Sequence, residues 1–278
     1  MKKILVPTDF SEVAQKALKC AIHVAHKANA EIIILNVMDF PGHLLDSSPY
    51  NQYVHSLNSF IDDLRKESKE GLEKQLKNIK TNVNIRTFSE AGVPKDLIVQ
   101  YVEEHNIDMI VMGTNGASGL KEILVGSVTE KVLRNASCPV LTVHHWDENI
   151  GINHVVFAVD TDDTKGDFTS VKKFIDVFEP RIDIVRINTP ERFRSTKLTS
   201  VRLKKFAEQQ GFKNFTVTQY DHERFEEGLL EYATDKKADI LIVGTHGRKG
   251  IAHLLQGSMT EELVNHADYP IFTFKLQK

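Results

Sequence analysis

Two glycine-rich stretches of the chain have the residue types and the spacing of a phosphate-binding loop. The first runs from Gly113 to Ser127 and consists of Gly-Thr-Asn-Gly, nine further residues, and Gly-Ser. The second repeats this spacing from Gly244 to Ser258, 131 residues later (244 minus 113). Glycine lets a backbone approach a ligand closely, and free N–H groups at the start of a helix favour an anion. Because each stretch follows an apolar run and precedes a helix-like segment, the pattern indicates phosphate capture.

For one loop taken alone, a purely structural role is about as well supported as phosphate binding. Glycines also end strands and permit a helix to pack closely on a sheet. Ser127 and Ser258 each begin a Ser-x-x-Glu pattern, so the role of a helix N-cap is sufficient for each serine. Asp9 and Asp160, which end the first strand of each unit, are either helix N-caps or carboxylates that accept hydrogen bonds from a ribose or a base. The sequence favours the N-cap for both by a small margin.

No catalytic motif accompanies the loops. Neither loop contains the Gly-Lys-Ser/Thr of a P-loop, and no Gly-x-Gly-x-x-Gly opens the chain. The sequence shows no nucleophile, general base and orienting residue at the spacing of a known catalytic site. The histidine pairs at residues 23 and 26 and at residues 144 and 145 have no third metal ligand in reach. The sequence therefore predicts ligand binding, with no catalytic residue and no metal ligand assigned.

The elements that must position these loops alternate between strand and helix in two successive units. The first unit has five predicted strands, near residues 3–6, 31–37, 83–88, 108–112 and 139–143. The second unit has five more, near residues 154–160, 182–187, 215–218, 240–243 and 270–274. Near-continuous apolar strands that alternate with helices are typical of a parallel sheet with helices on both faces. We therefore expect two tandem α/β domains, residues 1–146 and 154–278, joined by a linker at residues 147–153.

Length, composition and charge predict a soluble globular protein. A chain of 278 residues can bury two cores, and its 41% hydrophobic and 26% charged residues are ordinary for this class. A net charge of -3 gives no reason to expect a nucleic-acid or membrane partner. Cys20 and Cys138 form neither a disulfide framework nor a metal-spaced cluster, and no apolar run is long enough to span a bilayer. Because the N-terminus has the pattern of a first strand rather than a signal peptide, we expect a cytoplasmic location.

Four segments together give the chain its resemblance to the universal stress protein family, in the tandem form with two such domains. They are residues 6–11, Gly92-Val93-Pro94, the Gly113–Ser127 spacing and residues 137–140. The glycine spacing is the ATP-binding signature of that family. The resemblance implies a Rossmann-like, adenine nucleotide alpha hydrolase-like fold in each domain. It also implies that residues 140–143 and 271–274 pair within one molecule as a pseudo-dimer, which could itself form a homodimer.

The resemblance further implies an ATP site in the first domain, with or without magnesium. Its residues are Pro7, Thr8, Asp9, Val37, Met112, Gly113, Gly116, Gly126, Ser127 and Val128. The matching positions in the second domain are Asp160, Ile187, Gly244, Gly247, Gly257, Ser258 and Met259.

The second domain departs from the family pattern near these positions. It has Ala158 where the first has Pro7, and residues 223–225 replace the Gly-Val-Pro turn. Asp162 and Asp163 closely follow Asp160, and their negative charge would oppose a triphosphate. We therefore predict that the first site binds ATP more tightly than the second.

Three functions remain open on the sequence alone. The leading hypothesis is an ATP-binding stress-response protein that acts as a binding or regulatory module. The alternative from a different class is a protein that binds a partner or another metabolite without ATP. The third is slow ATP hydrolysis or self-phosphorylation near Ser127 or Thr129, for which the sequence supplies no identifiable base. We expect no enzymatic activity beyond a weak ATPase.

Overall fold

The structure is a computed structural model that describes residues 1–39, 51–114, 126–148, 150–246, 263–264, 267 and 269–276. At residues 51–59 and 246 it describes the backbone alone. Five predicted site residues lie outside the described residues, namely Gly116, Gly247, Gly257, Ser258 and Met259.

The first half of the chain alternates between parallel strands and helices, as predicted. Its strands are β1 (Lys3–Thr8), β2 (Glu31–Asp39), β3 (Ile85–Gly92), β4 (Met109–Gly113) and β5 (Val140–Val143). Its helices are α1 (Glu12–Ala28), α2 (Asn51–Leu76), α3 (Pro94–His105) and α4 (Ser127–Asn135). The strand expected at residues 83–88 extends further along the chain, because it stays paired with β2 as far as Gly92.

The second half repeats the alternation. Its strands are β6 (His154–Ala158), β7 (Arg181–Asn188), β8 (Phe215–Asp221), β9 (Ile240–His246) and β10 (Ile271–Leu276). Its helices within the described residues include α5 (Thr169–Phe178), α6 (Thr196–Gln209) and α7 (Phe225–Asp235). A short 3-10 turn, Pro190–Arg192, leads into α6.

The strands form one ten-stranded sheet in the order β3-β2-β1-β4-β5-β10-β9-β6-β7-β8. Neighbouring strands run parallel within each half, whereas β5 and β10 are antiparallel, with Thr142 opposite Ile271. The Thr142 hydroxyl donates to the Ile271 carbonyl at 3.3 Å, and the Thr273 hydroxyl donates to the Val140 carbonyl at 3.0 Å. The expected pairing of these two strands within one molecule is therefore present, and the strand order is mirrored about it.

Helices cover both faces of the sheet, which explains the apolar strands. The β2 side chains Ile32 to Leu35 are at most 3% exposed, as the predicted burial of both strand faces requires. On one face, a single core contains residues of both halves, from Ile4 in β1 to Phe274 in β10. On the other face, the buried residues form one cluster in each half, and Leu133 packs against both clusters. None of the helices described has the length and apolar composition needed to cross a membrane.

The strand order reverses between β1 and β4 in the first half and between β6 and β9 in the second. In open α/β sheets, ligands bind outside the carboxyl ends of the strands at such a reversal. The fold thus brings the end of β1 and the end of β4 together at the edge where the first glycine loop begins.

Candidate functional site

A cavity of about 290 Å³ lies at the carboxyl ends of the first-half strands. All the described residues of the predicted first site line it, namely Pro7, Thr8, Asp9, Val37, Met112, Gly113, Gly126, Ser127 and Val128. They come from the end of β1, the end of β2, the end of β4 and the start of α4. The fold therefore gathers four separated stretches of sequence around one space.

The cavity also has walls that the sequence did not identify, formed by Ala14, Leu35, Pro94, Ile98 and Thr129. Leu35 is two residues before Val37, so strand alternation places both on one face of β2. Ile98 is one helical turn after Pro94, which stands in the Gly-Val-Pro turn. Strand alternation from Val37 therefore indicates Leu35, and helical spacing from Pro94 indicates Ile98, as further residues of the cavity wall. Leu35 and Ile98 are both at most 3% exposed, so part of the wall belongs to the core.

Asp9 was expected to be the N-cap of α1, and the structure shows a different role. Ser11 is the N-cap, since its hydroxyl oxygen accepts the N–H of Ala14 at 3.2 Å. Asp9 precedes this cap by two residues, and its carboxylate accepts the N–H of Ser11 at 3.1 Å. The N-cap interpretation of Asp9 is therefore wrong, because the helix begins too late for its carboxylate to reach a helical N–H. The Asp9 side chain is exposed at the cavity.

The start of α4 also differs from its prediction. Gly126 is the N-cap, in an extended conformation with φ -62° and ψ 144°, and Ser127 is the first helical residue. The capping-box role of Ser127 is therefore wrong. The reason lies at Thr129, whose hydroxyl donates to the carbonyls of Gly113 and Thr114 at 3.1 and 3.3 Å and holds the helix start against the end of β4. Ser127 is left exposed beside the cavity.

The environment of Thr129 bears on the phosphorylation hypothesis. Its side chain is 4% exposed, and its hydroxyl proton is used in the bonds to β4. Phosphorylation at Thr129 would require that helix start to detach. Of the two hydroxyls considered, only that of Ser127 is accessible in this structure.

The first glycine of each loop is closely packed against its neighbours. A Cβ on Gly113 would lie 2.9 Å from Cγ1 of Val13 and 3.2 Å from the Val13 carbonyl carbon. A Cβ on Gly244 would lie 2.7 Å from Cδ1 of Leu276. At Gly244 the end of the Leu276 side chain could shift to admit a Cβ, whereas at Gly113 the backbone of Val13 also stands close, so packing alone favours glycine at Gly113 whether or not a ligand is bound. Support for a ligand must come from the other residues of the site.

A buried polar network fixes the end of β1 from behind the cavity. The Thr8 hydroxyl donates to Oε1 of Gln75 at 3.1 Å, and the amide of Asn36 donates to the Thr8 carbonyl at 2.8 Å. Ser68 donates to Oδ1 of Asn36 at 2.7 Å and lies 2.6 Å from the Ser89 hydroxyl. These bonds connect α2 to the ends of β1, β2 and β3. The sequence did not indicate them, since α2 has the pattern of a charged, solvated helix.

The corresponding region of the second half is occupied by arginine. The Asp160 carboxylate lies 3.6 Å from Nε of Arg186 and 3.8 Å from Nη1 of Arg192. Arg186 occupies the register position on β7 that Asn36 occupies on β2, and its side chain is 2% exposed. Its Nη1 donates to Oδ1 of Asn188 at 2.8 Å. Asp160 is no N-cap either, because α5 begins only at Thr169.

Two of the three carboxylates at the start of the second unit, those of Asp160 and Asp162, are paired with arginines, which weakens the expected repulsion of a triphosphate. Asp162 lies 3.1 Å from Nη2 of Arg194 and 3.8 Å from Nη1 of Arg202. Asp160 likewise has two guanidinium neighbours, so neither carboxylate would repel a phosphate as a lone charge would. Ile187 is 5% exposed, whereas its counterpart Val37 lines the cavity. Ile187 is therefore less accessible than Val37.

Comparison with known proteins places the chain in a family. The model of the universal stress protein family matches residues 1–144 and 178–275. A universal stress protein of Methanocaldococcus jannaschii is 40% identical over 145 residues, which are 51% of this chain and 81% of that protein. One of Bacillus subtilis is 38% identical over 147 residues, which are 51% of this chain and 97% of that protein.

A solved structure agrees over the whole length of the chain. A universal stress protein from Archaeoglobus fulgidus has a TM-score of 0.72 and 21% identity, with 98% of both chains covered. This likeness supports the fold, with both halves and their mixed sheet. Together with the family model, which matches well over half of the residues, it leads to one conclusion. The chain belongs to the universal stress protein family.

Proposed function

We propose that this chain is a stress-response protein that binds an adenine nucleotide, ATP foremost and with or without magnesium, in the first-half cavity. In this role it is a binding or regulatory module. One observation carries the proposal: four separated stretches of sequence converge on a single cavity where the strand order reverses. Ligands of open α/β sheets bind at this location.

The chemistry of the cavity suits a nucleotide. Leu35, Val37, Ile98 and Met112 provide an apolar wall for a base, and the exposed carboxylate of Asp9 can accept hydrogen bonds from ribose hydroxyls. At the start of α4, backbone N–H groups and the helix dipole favour phosphate, as in other anion sites. The volume of about 290 Å³ is close to the lower bound of about 300 Å³ for small-molecule sites. We include Gly116 in the proposed phosphate site by family resemblance.

The proposal divides the chain as the sequence predicts, into domains at residues 1–146 and 154–278 with a linker at 147–153, and it assumes a cytoplasmic location. It assigns nucleotide to the first domain and weak or no binding to the second. The reason is that the Asp160 carboxylate already faces the guanidinium groups of the buried Arg186 and of Arg192, rather than repulsion by carboxylates. Residues 145–177, which include β6 and the region of Asp160, also fall between the two segments that match the family.

Acid extraction of the purified chain, followed by nucleotide chromatography, tests the proposal against a ligand-free or metabolite-binding protein. We expect co-purified or titratable adenine nucleotide. A chain that carries none and takes up none when titrated would favour the alternative, a partner- or metabolite-binding protein. Phosphate release under single-turnover conditions, with Ser127→Ala as the comparison, would separate binding from slow hydrolysis.

A further inference from the structure

Large apolar side chains are exposed around the start of α6. Phe193, just before the helix, is 68% exposed, and on the helix Leu198 and Val201 are 47% and 61% exposed. Leu198 and Val201 are three residues apart and therefore share one face of the helix. The opposite face packs into the core through Leu203 and Phe206, which are at most 1% exposed. The helix thus buries one apolar face and presents a second one to solvent.

The exposed face is also strongly basic. Residues 191–208 carry six lysines and arginines against two glutamates, a net charge of +4 in a chain of net charge -3. Lys197, Lys204 and Lys205 are exposed, and no ion pair joins them to any part of the chain that the structure describes. They stand four residues before and three and four residues after Val201, so they surround it on the helix surface.

The turn before α6 is held by charge pairs that leave these lysines unused. Arg194 and Arg202, at the start and in the middle of the segment, both approach the carboxylate of Asp162, at 3.1 and 3.8 Å. Arg192 approaches Asp160 at 3.8 Å. The three arginines therefore form ion pairs within the chain. The three lysines and the three exposed apolar side chains remain available to a partner.

This arrangement fits the surface of a bilayer. Apolar side chains within a ring of lysines can enter the boundary between headgroups and acyl chains, while the long lysine stems carry their charges to the phosphates. Anionic lipids attract each cation near the surface. A rigid peptide partner would call for fixed donors such as arginine forks, and the arginines here are bound to aspartates instead.

We propose that the basic α6 face, defined as Phe193, Lys197, Leu198, Val201, Lys204 and Lys205, docks on membrane surfaces that carry anionic phospholipid headgroups. The overall charge of the chain predicts no such partner. Attraction to an anionic surface depends on the charges close to it, because salt screens charges that lie beyond about 8 Å at physiological ionic strength. The docking does not depend on nucleotide in the first-half cavity.

Vesicle flotation with the full chain tests this proposal. We expect the chain to bind vesicles of phosphatidylcholine mixed with phosphatidylglycerol, to bind phosphatidylcholine alone far less, and to dissociate as salt rises. Lys204→Gln with Lys205→Gln should weaken binding by at least about tenfold. The matched control is Lys66→Gln with Lys69→Gln, which removes the same charge from the exposed face of α2 and should leave binding unchanged.

The apolar part of the face has its own variant and control. Leu198→Gln with Val201→Gln should weaken vesicle binding by about tenfold or more, whereas Ile150→Gln, at a position 49% exposed elsewhere, should not. Thermal melting checks that each variant remains folded. Three results would overturn the proposal: no binding to anionic vesicles at low salt, equal binding to neutral vesicles, or control variants that lose as much affinity. A change of oligomeric state in the α6 variants without vesicles would also overturn it, since the face would then join copies of the chain.

Discussion

Asp9 and Asp160 hold the same place after the first strand of each half, yet their carboxylates have different surroundings. Asp9 accepts the N–H of Ser11 and is exposed at the cavity. Asp160 lies within 3.8 Å of two guanidinium groups, those of Arg186 and Arg192. A carboxylate that already faces two cations gains less from a ribose hydroxyl than one beside a cavity. The two halves therefore differ in the surroundings of this one carboxylate.

This difference predicts opposite results for one substitution made at both positions. Asp9→Asn should lower the affinity for ATP by roughly tenfold or more, since a hydrogen bond to a charged group is worth about 1.5–3 kcal/mol. Asp160→Asn should leave the affinity unchanged. Isothermal titration of both variants measures this. Equal losses of affinity would show that the second half takes part in binding.

Asp183 predicts a pH dependence of stability. Burial raises the pKa of this carboxyl, but hydrogen bonds from Thr216 and His154 and the charge of Arg181 outweigh it and hold the pKa below the ordinary value of 3.8. The unfolded chain therefore binds the proton more tightly. The resulting stability is present above the unfolded pKa and is lost as pH falls through the folded one. Urea denaturation from pH 6 downward, at roughly half-unit steps, should show a steeper loss below about pH 4 in the wild type than in Asp183→Asn. Parallel curves would refute this.

The helices that contact the cavity show why some elements were predictable and others were not. The strands followed from apolar runs, and Pro94 at the first turn of α3 followed from its fixed backbone angle. The start of α4 did not follow, because Thr129 bonds to carbonyls of β4, which are distant in sequence. Arg186 was equally hidden, since an arginine within a strand suggests an exposed position and its ion-pair partner, Asp160, comes from another segment. Contacts between segments distant in sequence, rather than local patterns, determine both the start of α4 and the buried position of Arg186.

The network between α2 and the sheet yields a prediction for that element. Ser68 is 2% exposed and donates to the buried amide oxygen of Asn36. Ser68→Ala leaves that acceptor without its donor and should lower the free energy of unfolding by about 1–3 kcal/mol. Because Asn36 in turn holds the Thr8 carbonyl, the affinity for ATP should fall as well.

The control for this variant is Ser137→Ala, at an exposed position outside the network. Its effect on unfolding should stay within about 0.5 kcal/mol. Urea denaturation compares the two variants. If Ser68→Ala were as mild as the control, the network would have no measurable part in holding α2.

The whole molecule is one sheet whose two halves share a core on one face. Besides the β5–β10 pair, the halves meet where the ring of His23 in α1 stacks 5.9 Å from that of Phe178 in α5. Trp146, at the end of the first half, lies 5.3 Å from the same His23 ring. Lys19 of α1 also pairs with Glu148 at 2.6 Å. The halves are thus joined by backbone and aromatic contacts, and the ion pair ties the linker to α1.

This junction predicts a spectroscopic response to acid. Burial first, and then the charges of Lys27 and His26, lower the pKa of His23 below its ordinary value of 6.5. The unfolded chain binds the proton more tightly, so the stability that His23 contributes is present above pH 6.5 and is lost as pH falls below it. Trp146 is the single tryptophan, so its fluorescence reports on the junction. Its emission should change in the wild type as pH falls through the lowered pKa of His23 in the folded chain, and should change less in His23→Phe. An identical response in both would exclude His23 as the cause.

The stoichiometry of ATP binding tests the central claim most directly. Isothermal titration of the full chain should give one ATP per chain. Val37→Arg, which places a bulky cation in the apolar part of the cavity, should abolish the heat of binding, whereas Asp160→Asn should preserve it. Two equivalent sites, undiminished binding by Val37→Arg, or no binding to the wild-type chain would contradict the account.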